Sequence, residues 1–310
     1  TCALPIADTA LPELSTRSEP HSKTRRRGPT FRLGRVLIYG ILIIGLLQAV
    51  FPFFWMISAS LMPINEVTLG YLLPSQPQFN NYVDAWNQAN FSQFMWNSVR
   101  ITGITVAGQL IFCVPAAYAF ARMRFVGRNL IFGLLLATLM IPDVAILIPN
   151  YLTVIWFGRL SDAVLGIGWI NNWPALTIPF MASAFTIFLL RQFFAQIPED
   201  LWDAVRIDGG GHLRFLWSVV VPLSRPVLMT TVIFAFIGSW NALLWPLLVT
   251  QTDTWRPVAV GLTKFVNTDQ PTALHLQMAA SVIMIISILI IYFFTQRQFT
   301  EGIATSGLKG

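Results

Sequence analysis

The residue types that most often carry out chemistry are scattered in this sequence. Its three histidines, His21, His212 and His275, are far apart and do not have the spacing of a metal site. The sequence has no Asp-x-Asp pair for a metal-bound nucleotide, no G-x-S-x-G motif and no G-x-x-x-x-G-K-[ST] motif. No lysine follows Gly209-Gly210-Gly211, so a turn is favoured over a phosphate-binding loop. We therefore expect no catalytic residue, no metal site and no cofactor bound by this chain.

The composition is that of an integral membrane protein. Hydrophobic residues make up 55% of the 310 residues, charged residues make up 11%, and the mean hydropathy is +0.63. A soluble domain has about 25% charged residues. Apolar segments of roughly 20 residues can cross a bilayer, and their backbone groups must be bonded within the segment. We therefore expect an all-α fold with six transmembrane helices, at 36–60, 98–120, 130–149, 173–190, 227–249 and 276–294.

The basic residues predict the orientation. Sixteen of the 20 Lys and Arg residues fall on one predicted side of the membrane, and the four exceptions are Arg100, Arg159, Arg256 and Lys264. Because basic residues accumulate on the inner side of membrane proteins, both termini are predicted to be cytoplasmic. The net charge of +6 is explained by this asymmetry, and no nucleic-acid partner is expected, since no basic cluster on a folded face is indicated.

Three regions are predicted along the chain. Residues 1–34 are rich in Ser, Thr, Pro and Arg and are expected to form a disordered, basic cytoplasmic tail. Residues 35–295 form the six-helix domain, and 296–310 form a cytoplasmic C-terminal tail. The six-helix domain includes one charged, amphipathic loop at 195–226. This loop is predicted to contain a helix over 199–207, a glycine turn, and a second helix from Leu213 towards Pro222, and we interpret it as a docking element.

Polar side chains inside apolar segments are the candidates for a translocation path. At 1.5 Å per residue, Asp143 and Asn241 lie about 22–24 Å from the inner boundary, counted from Arg128 and Arg225. Ser281 is predicted to lie at a comparable level. Polar groups at this depth are costly and are usually functional. Hydrogen bonding between helices explains Asn241 and Ser281 equally well.

The 195–226 loop resembles the "EAA" loop of ABC importer permeases, which reads E-A-A-x-x-x-G before a hydrophobic stretch and L-P. The segment from Asp203 to Gly209 fits this frame, and Val221-Pro222-Leu223 closes it. Ile197-Pro198 and Leu201 are similar to the carbohydrate branch, I-P-x-x-L-x-E-A-A-x-I-D-G-A. This chain departs from that pattern at three positions: Asp203 stands in place of Glu, and Val205 and Gly210 each stand in place of Ala.

Further matches in order along 36–310 resemble the MalG-like second permease of that branch. They are Asn97-Ser98, Ala116–Arg122 with Phe125 and Gly127, Ile148-Pro149, Ser239-Trp240-Asn241, Trp245-Pro246-Leu247, Gln296–Phe299 and Gly307–Gly310.

The resemblance implies a type I ABC importer permease fold in the bacterial cytoplasmic (inner) membrane. It implies three partners besides the bilayer: an ABC ATPase dimer that binds ATP and Mg, a second, MalF-like permease, and an extracytoplasmic solute-binding protein, periplasmic or a lipoprotein. The solute is expected to be a sugar or a sugar-like molecule.

The same resemblance assigns ATPase coupling to the loop helix. Leu201, Trp202, Val205 and Ile207 are predicted to be its buried apolar face in a groove of the ATPase. The full set of predicted coupling residues is Leu201, Trp202, Asp203, Ala204, Val205, Arg206, Ile207, Asp208 and Gly209. The outer loop at 251–275 is expected to contact the binding protein, and the tail at 296–310 is either a frayed terminus or an ATPase contact.

Two other functional classes are less well supported. A membrane enzyme would need a carboxylate or His/Asp set at the membrane surface. A proton-coupled secondary transporter would show more intramembrane acids and often internal repeats. Within the ABC importers, permeases for glycerol-phosphate-like solutes, amino acids or phosphate are alternatives.

Overall fold

The computed structural model describes residues 33–265 and 273–306, and within these ranges every regular element is helical. The predicted disordered tail at 1–34 therefore lies outside the described residues except for its last two positions, where the first helix begins. The chain divides into two compact units, Thr1–Phe51 and Pro52–Gly310. The described part of the first unit is an apolar helix whose large side chains from Val36 to Phe51 are exposed.

The α-helices follow one another with short connections. Their bounds are α1 Leu33–Ser60, α2 Ile64–Thr68, α3 Asn80–Gln88, α4 Phe91–Arg122, α5 Arg128–Thr138, α6 Asp143–Leu165, α7 Trp173–Thr177, α8 Ala184–Phe194, α9 Glu199–Ile207, α10 His212–Phe215, α11 Val221–Leu223, α12 Arg225–Trp240, α13 Leu244–Val249, α14 Val258–Gly261 and α15 Leu274–Ser306. A π-helical turn, Leu216–Val220, joins α10 to α11. α15 continues into the predicted C-terminal tail as far as Ser306.

Four helices of the described residues are long and apolar enough to cross a membrane: Val36–Ser60, Phe91–Arg122, Asp143–Leu165 and Trp173–Phe194. A fifth candidate is the pair His212–Leu223 and Arg225–Trp240, which is bent by 81°. Arg128–Thr138 and Leu274–Ile290 are shorter apolar helices. The structure therefore supports a multi-pass helical membrane protein with four to five candidate spans.

Three of the predicted spans are not continuous α-helices. The predicted span 173–190 consists of α7, a 3₁₀ turn at Ile178–Phe180 and α8, which together are long and apolar enough to cross a membrane. The prediction of a single helix was wrong for the other two. The predicted span 130–149 is interrupted between α5 and α6, where Pro142 is extended (φ −60°, ψ 136°) and disfavours a helical residue before it. The predicted span 227–249 ends as a helix at Trp240 and resumes at Leu244. Pro246 lacks the N–H that would bond to the carbonyl of Ala242, which favours a break there.

α4 is the central helix of the second unit. It packs against α8, α12, α14, α7 and α3. A glycine permits one of these close approaches, because a Cβ at Gly108 would lie 2.3 Å from Cγ of Met181. Towards its C-terminal end, α4 contributes Cys113, Val114, Ala117 and Tyr118 to a buried apolar cluster shared with α8, α10 and the π-helical turn.

Candidate functional site

The helix of the 195–226 loop forms from local signals. α9 spans Glu199–Ile207, as the sequence predicted. Pro198 is extended and precedes the first turn, which carries Glu199 and Asp200, whereas Arg206 lies in the last turn. Acidic residues in the first turn and a basic residue in the last turn both interact favourably with the helix dipole. The predicted second helix is α10 followed by the π-helical turn and α11, so its hydrogen-bonding pattern changes before Pro222.

The glycine turn closes α9 tightly. Gly209 has φ +74°, a left-handed conformation that favours glycine. Gly209 N–H donates to the Arg206 carbonyl at 3.0 Å, and Gly210 N–H donates to the Val205 carbonyl at 2.7 Å. A Cβ at Gly210 would lie 2.5 Å from Cγ1 of Val205. Val205 and Gly210 are two of the departures from the EAA pattern, and this contact shows that the larger residue requires the smaller one.

One face of α9 packs on its own chain. The Trp202 ring stacks on the ring of His212, with centroids 4.4 Å apart and planes at 13°, and its edge meets Phe215 at 5.2 Å. Nδ1 of His212 and the Tyr118 hydroxyl are hydrogen-bonded at 2.8 Å. Tyr118 belongs to α4 and is buried. The loop helix is therefore tied through His212 to the central helix.

Basic residues that were interpreted as a topology signal also bind the ends of helices. Arg122 Nε donates to the Phe194 carbonyl at 3.0 Å, and its Nη2 donates to the carbonyl of Ile197. Arg191 Nε donates to the Phe120 carbonyl at 3.3 Å. These bonds satisfy carbonyls at the C-terminal ends of α4 and α8, and they hold the start of the 195–226 loop against the helix bundle.

The other face of α9 is exposed. Ile207 is 87% exposed and Leu201 is 38% exposed. Asp203, Ala204, Asp208 and Gly209 are also exposed, and Arg206 lies 3.8 Å from Asp203 in an exposed pair. The four residues predicted to form one apolar docking face therefore divide into two pairs. Trp202 and Val205 contact the chain itself, while Leu201 and Ile207 face outward.

Asp143 and Asn241 are exposed and line one open cavity of about 650 Å³, whose wall is formed mainly by α4, α6, α8, α12 and α13. Ser281 lies outside this cavity, on α15, where its hydroxyl donates to the Gln277 carbonyl at 2.8 Å. The depth predicted for Asp143 assumed an unbroken helix from Arg128. In the structure a break separates α5 from α6, and Asp143 is the first residue of α6.

The cavity has further polar side chains that sequence reasoning missed. They include Thr105 and Gln109 of α4, Asn150 of α6 and Ser239 of α12. The Thr105 side chain is buried and its Oγ1 has no hydrogen-bond partner among the described residues. Gln109 is held in place, since its Nε2 donates to the Phe180 carbonyl at 2.9 Å and its Oε1 accepts from Thr186 at 3.1 Å. Single polar residues in apolar segments give no spacing signal, which is why the sequence did not reveal them.

An ion-pair cluster orders the loop between α13 and α14, which the sequence predicted to lie on the outer side. Lys264 Nζ lies 2.6 Å and Arg256 Nη1 lies 3.0 Å from the carboxylate of Asp253. Asn97 Nδ2 donates to the carbonyls of Thr254 and Arg256, each at 3.0 Å. The hydrogen bond from Lys264 holds the pKa of Asp253 below its ordinary value, and burial opposes this shift. The rest of the predicted outer loop, at 266–272, lies outside the described residues.

Within residues 33–265 and 273–306, no group of three or more His, Cys, Asp or Glu side chains is arranged to hold a metal ion.

Residues 110–304 match the family model described as "Binding-protein-dependent transport system inner membrane component". The matched region contains the 195–226 loop and the positions Asp143, Asn241 and Ser281. The chain is 30% identical over 275 residues to the sn-glycerol-3-phosphate transport system permease protein UgpE of Yersinia pestis bv. Antiqua (strain Antiqua), covering 86% of this chain and 94% of the relative. UgpE of Brucella abortus (strain 2308) is 30% identical over 273 residues, covering 85% and 93%.

Two solved structures share the architecture. One is a bacterial ABC transporter involved in the import of the acidic polysaccharide alginate, with a TM-score of 0.75 and 27% identity, covering 88% of this chain and 98% of that chain. The other is a bacterial alginate ABC transporter in complex with an alginate pentasaccharide-bound periplasmic protein, with a TM-score of 0.62 and 12% identity, covering 84% and 93%. The second likeness concerns the fold alone.

Proposed function

Because the chain belongs to the family of binding-protein-dependent transport system inner membrane components, we propose that it carries a sugar or sugar-like solute across the bacterial inner membrane. The chain is a permease subunit of an ABC importer and is not itself catalytic. ATP and Mg are bound by a separate ABC ATPase dimer. A second, MalF-like permease completes the membrane part, and an extracytoplasmic solute-binding protein delivers the solute.

The bundle crosses the membrane six times in this proposal, with both termini and the 195–226 loop in the cytoplasm. α5 has 11 residues and rises about 16 Å, which is too short for a bilayer core of about 30 Å. The third crossing therefore combines α5 with the beginning of α6. The fifth crossing combines α12 with α13, and the sixth is α15.

The observation that carries the proposal is that two of the broken crossings meet at one cavity. Asp143 follows the break between α5 and α6, and Asn241 lies at the break between α12 and α13; both line the cavity. Irregular backbone is tolerated at membrane depth where it lines a cavity, and broken helices form the solute sites of many transporters. We assign Asp143 and Asn241 to the solute path. Ser281, whose hydroxyl bonds to its own helix, is retained as a weaker candidate.

The exposed face of α9 is proposed to dock on the ATPase. Leu201 and Ile207 supply the apolar contact, and Asp203, Arg206 and Asp208 set the register through charge. Ala204 and Gly209 allow close approach. Trp202 and Val205 act on the other side, where they transmit movement of α9 through His212 to α4. Closure of the ATPase dimer would then rock the helix bundle between its two access states.

This proposal is tested by ATP-dependent uptake of labelled saccharides in proteoliposomes containing the complete complex. Ile207→Asp is expected to release the ATPase and abolish uptake, because a buried unpaired charge at the centre of an interface costs at least about 2 kcal/mol. Asp143→Ala is expected to retain the ATPase but lose most uptake. Val126→Asp is the matched control, since Val126 is fully exposed in the loop between α4 and α5. Normal uptake by both Ile207→Asp and Asp143→Ala would overturn the proposal.

A further inference from the structure

We infer that the cavity selects neutral polyhydroxylated solutes over anionic ones. This inference rests on the proposed function and specifies its solute class. It contrasts with the names of similar proteins, which refer to sn-glycerol-3-phosphate and to the acidic polysaccharide alginate.

The described cavity wall contains one charged side chain, the carboxylate of Asp143, and no Lys, Arg or His. Sites that bind phosphate or carboxylate groups usually supply Arg, Lys or a free helix N-terminus. Here the N-terminal turn of α6 already carries Asp143, whose charge opposes a second anion at that end. Arg100 precedes the lining residue Ile101 but does not itself line the cavity. Its guanidinium lies 4.4 Å from the centre of the Trp255 ring.

The free polar groups of the wall are suited to hydroxyl groups. Among the described residues, the buried Thr105 Oγ1 has no hydrogen-bond partner. Asp143 and Asn241 are exposed and Asn150 is half-buried, so their polar groups are open to a ligand in the cavity. A buried hydroxyl without a partner costs free energy, so a ligand or water that bonds to it is favoured. Carboxylate and amide oxygens accept hydrogen bonds from hydroxyls, and amide N–H groups donate to them.

Aromatic side chains complete the site. Trp245, Phe180, Phe185 and Phe234 line the cavity, and the Trp245 indole N–H donates to the Ala175 carbonyl at 2.8 Å. This bond fixes the indole ring within the wall. An apolar wall with a few fixed polar groups is the usual form of a small-molecule site, and here those groups are acceptors and neutral donors. A neutral saccharide therefore satisfies the part of the wall that this chain supplies, whereas a uronate or a phosphate meets Asp143 without a compensating cation from the described residues.

The test measures binding to the purified complete complex in nanodiscs by saturation-transfer NMR. The probes are a mannose trisaccharide and a mannuronate trisaccharide, which differ in the groups at C6. We expect the neutral probe to bind at least about tenfold more tightly. The repulsion between two like charges a few ångströms apart at a protein surface exceeds the free energy that corresponds to a tenfold change in affinity. Asp143→Asn should reduce this preference. Asp162→Asn, which removes an exposed carboxylate near the C-terminal end of α6 and outside the cavity wall, should leave it unchanged.

Three outcomes would overturn the inference: equal or tighter binding of the mannuronate, an unchanged preference in Asp143→Asn, or binding of neither probe. In each case, ATP-dependent uptake of any saccharide by the same complex would leave the proposed import function standing. Uptake of an amino acid and of no saccharide would instead overturn the proposed function itself.

Discussion

At the residue scale, the turn after α9 depends on two side chains that are fitted to each other. Val205 is larger than the alanine of the EAA pattern, and Gly210 is smaller than the alanine expected there. A Cβ at Gly210 would lie 2.5 Å from Val205 Cγ1 and 3.0 Å from the Val205 carbonyl oxygen. The first contact disappears if residue 205 is alanine, whereas the second remains and requires only a small shift. The two departures therefore compensate for each other.

A double-mutant cycle tests this compensation. Gly210→Ala alone is expected to destabilise the 195–226 loop by about 1–3 kcal/mol, because overpacking forces side chains and backbone to move. In a Val205→Ala background the same substitution should cost much less, with a coupling energy of about 0.5–3 kcal/mol. Hydrogen exchange of residues 199–211 in the purified complex measures the loss. An equal cost of Gly210→Ala in both backgrounds would contradict the compensation.

The contact between Tyr118 and His212 is the second residue-scale feature. It joins α4 to the loop helix through one hydrogen bond of 2.8 Å and the Trp202–His212 stack. No sequence pattern pairs these residues, because they are 94 positions apart and His212 is the single histidine of its segment. Only the packing of α9 and α10 on α4 brings them together.

Tyr118→Phe removes this hydrogen bond and keeps the ring. We expect about 0.5–1.5 kcal/mol less stabilisation of the loop, because the exposed His212 can bond to water instead. We also expect a lower ratio of transported solute to hydrolysed ATP, measured in proteoliposomes. Tyr151→Phe is the control, since the Tyr151 hydroxyl has no partner among the described residues. A transport ratio that is unchanged in Tyr118→Phe would show that this contact does not transmit movement.

At the element scale, the helices with strong local signals were predicted well and the broken crossings were not. α9 has the predicted bounds because its ends carry proline, acidic residues and glycine, which act within one turn. The breaks at 139–142 and 241–243 lie inside apolar runs, and a hydropathy pattern does not distinguish a continuous span from two shorter helices. Prolines alone did not locate them, because Pro52, Pro115 and Pro149 lie inside helices that continue.

The outer loop between α13 and α14 is expected to respond to pH through Asp253. Its pKa is lowered by the hydrogen bond from Lys264, with a smaller contribution from Arg256. A lowered pKa means that the stabilisation is fully present above the ordinary value of 3.8 and is lost as the pH falls through the folded value. Asp253→Asn should therefore speed hydrogen exchange of residues 250–265 at pH 7, and the difference from the wild type should shrink below about pH 4.

Asp200→Asn, which removes an exposed carboxylate from α9, serves as the control for this experiment. A difference between Asp253→Asn and the wild type that stayed constant from pH 7 to about pH 3 would contradict the role of the Asp253 charge.

At the scale of the whole molecule, the two candidate functional regions, the cavity and the 195–226 loop, contact different parts of one central helix. Thr105 and Gln109 of α4 line the cavity, whereas Tyr118 and Arg122 near its C-terminal end hold the loop. The sequence predicted the family, the loop and two cavity residues, since these depend on ordered motifs or on a polar residue in an apolar run. It could not predict which polar residues share one cavity, because α4, α6 and α12 contribute them from distant positions.

The central claim is that the outward face of α9 docks on the ATPase while its inward face stays on the permease. A photo-crosslinking residue at Ile207, compared with one at Val126 in the neighbouring loop, tests this in the intact complex. We expect light to join the Ile207 probe to the ATPase and to leave the Val126 probe without that adduct. An intact, ATP-hydrolysing complex in which the Ile207 probe forms no ATPase adduct would contradict the account.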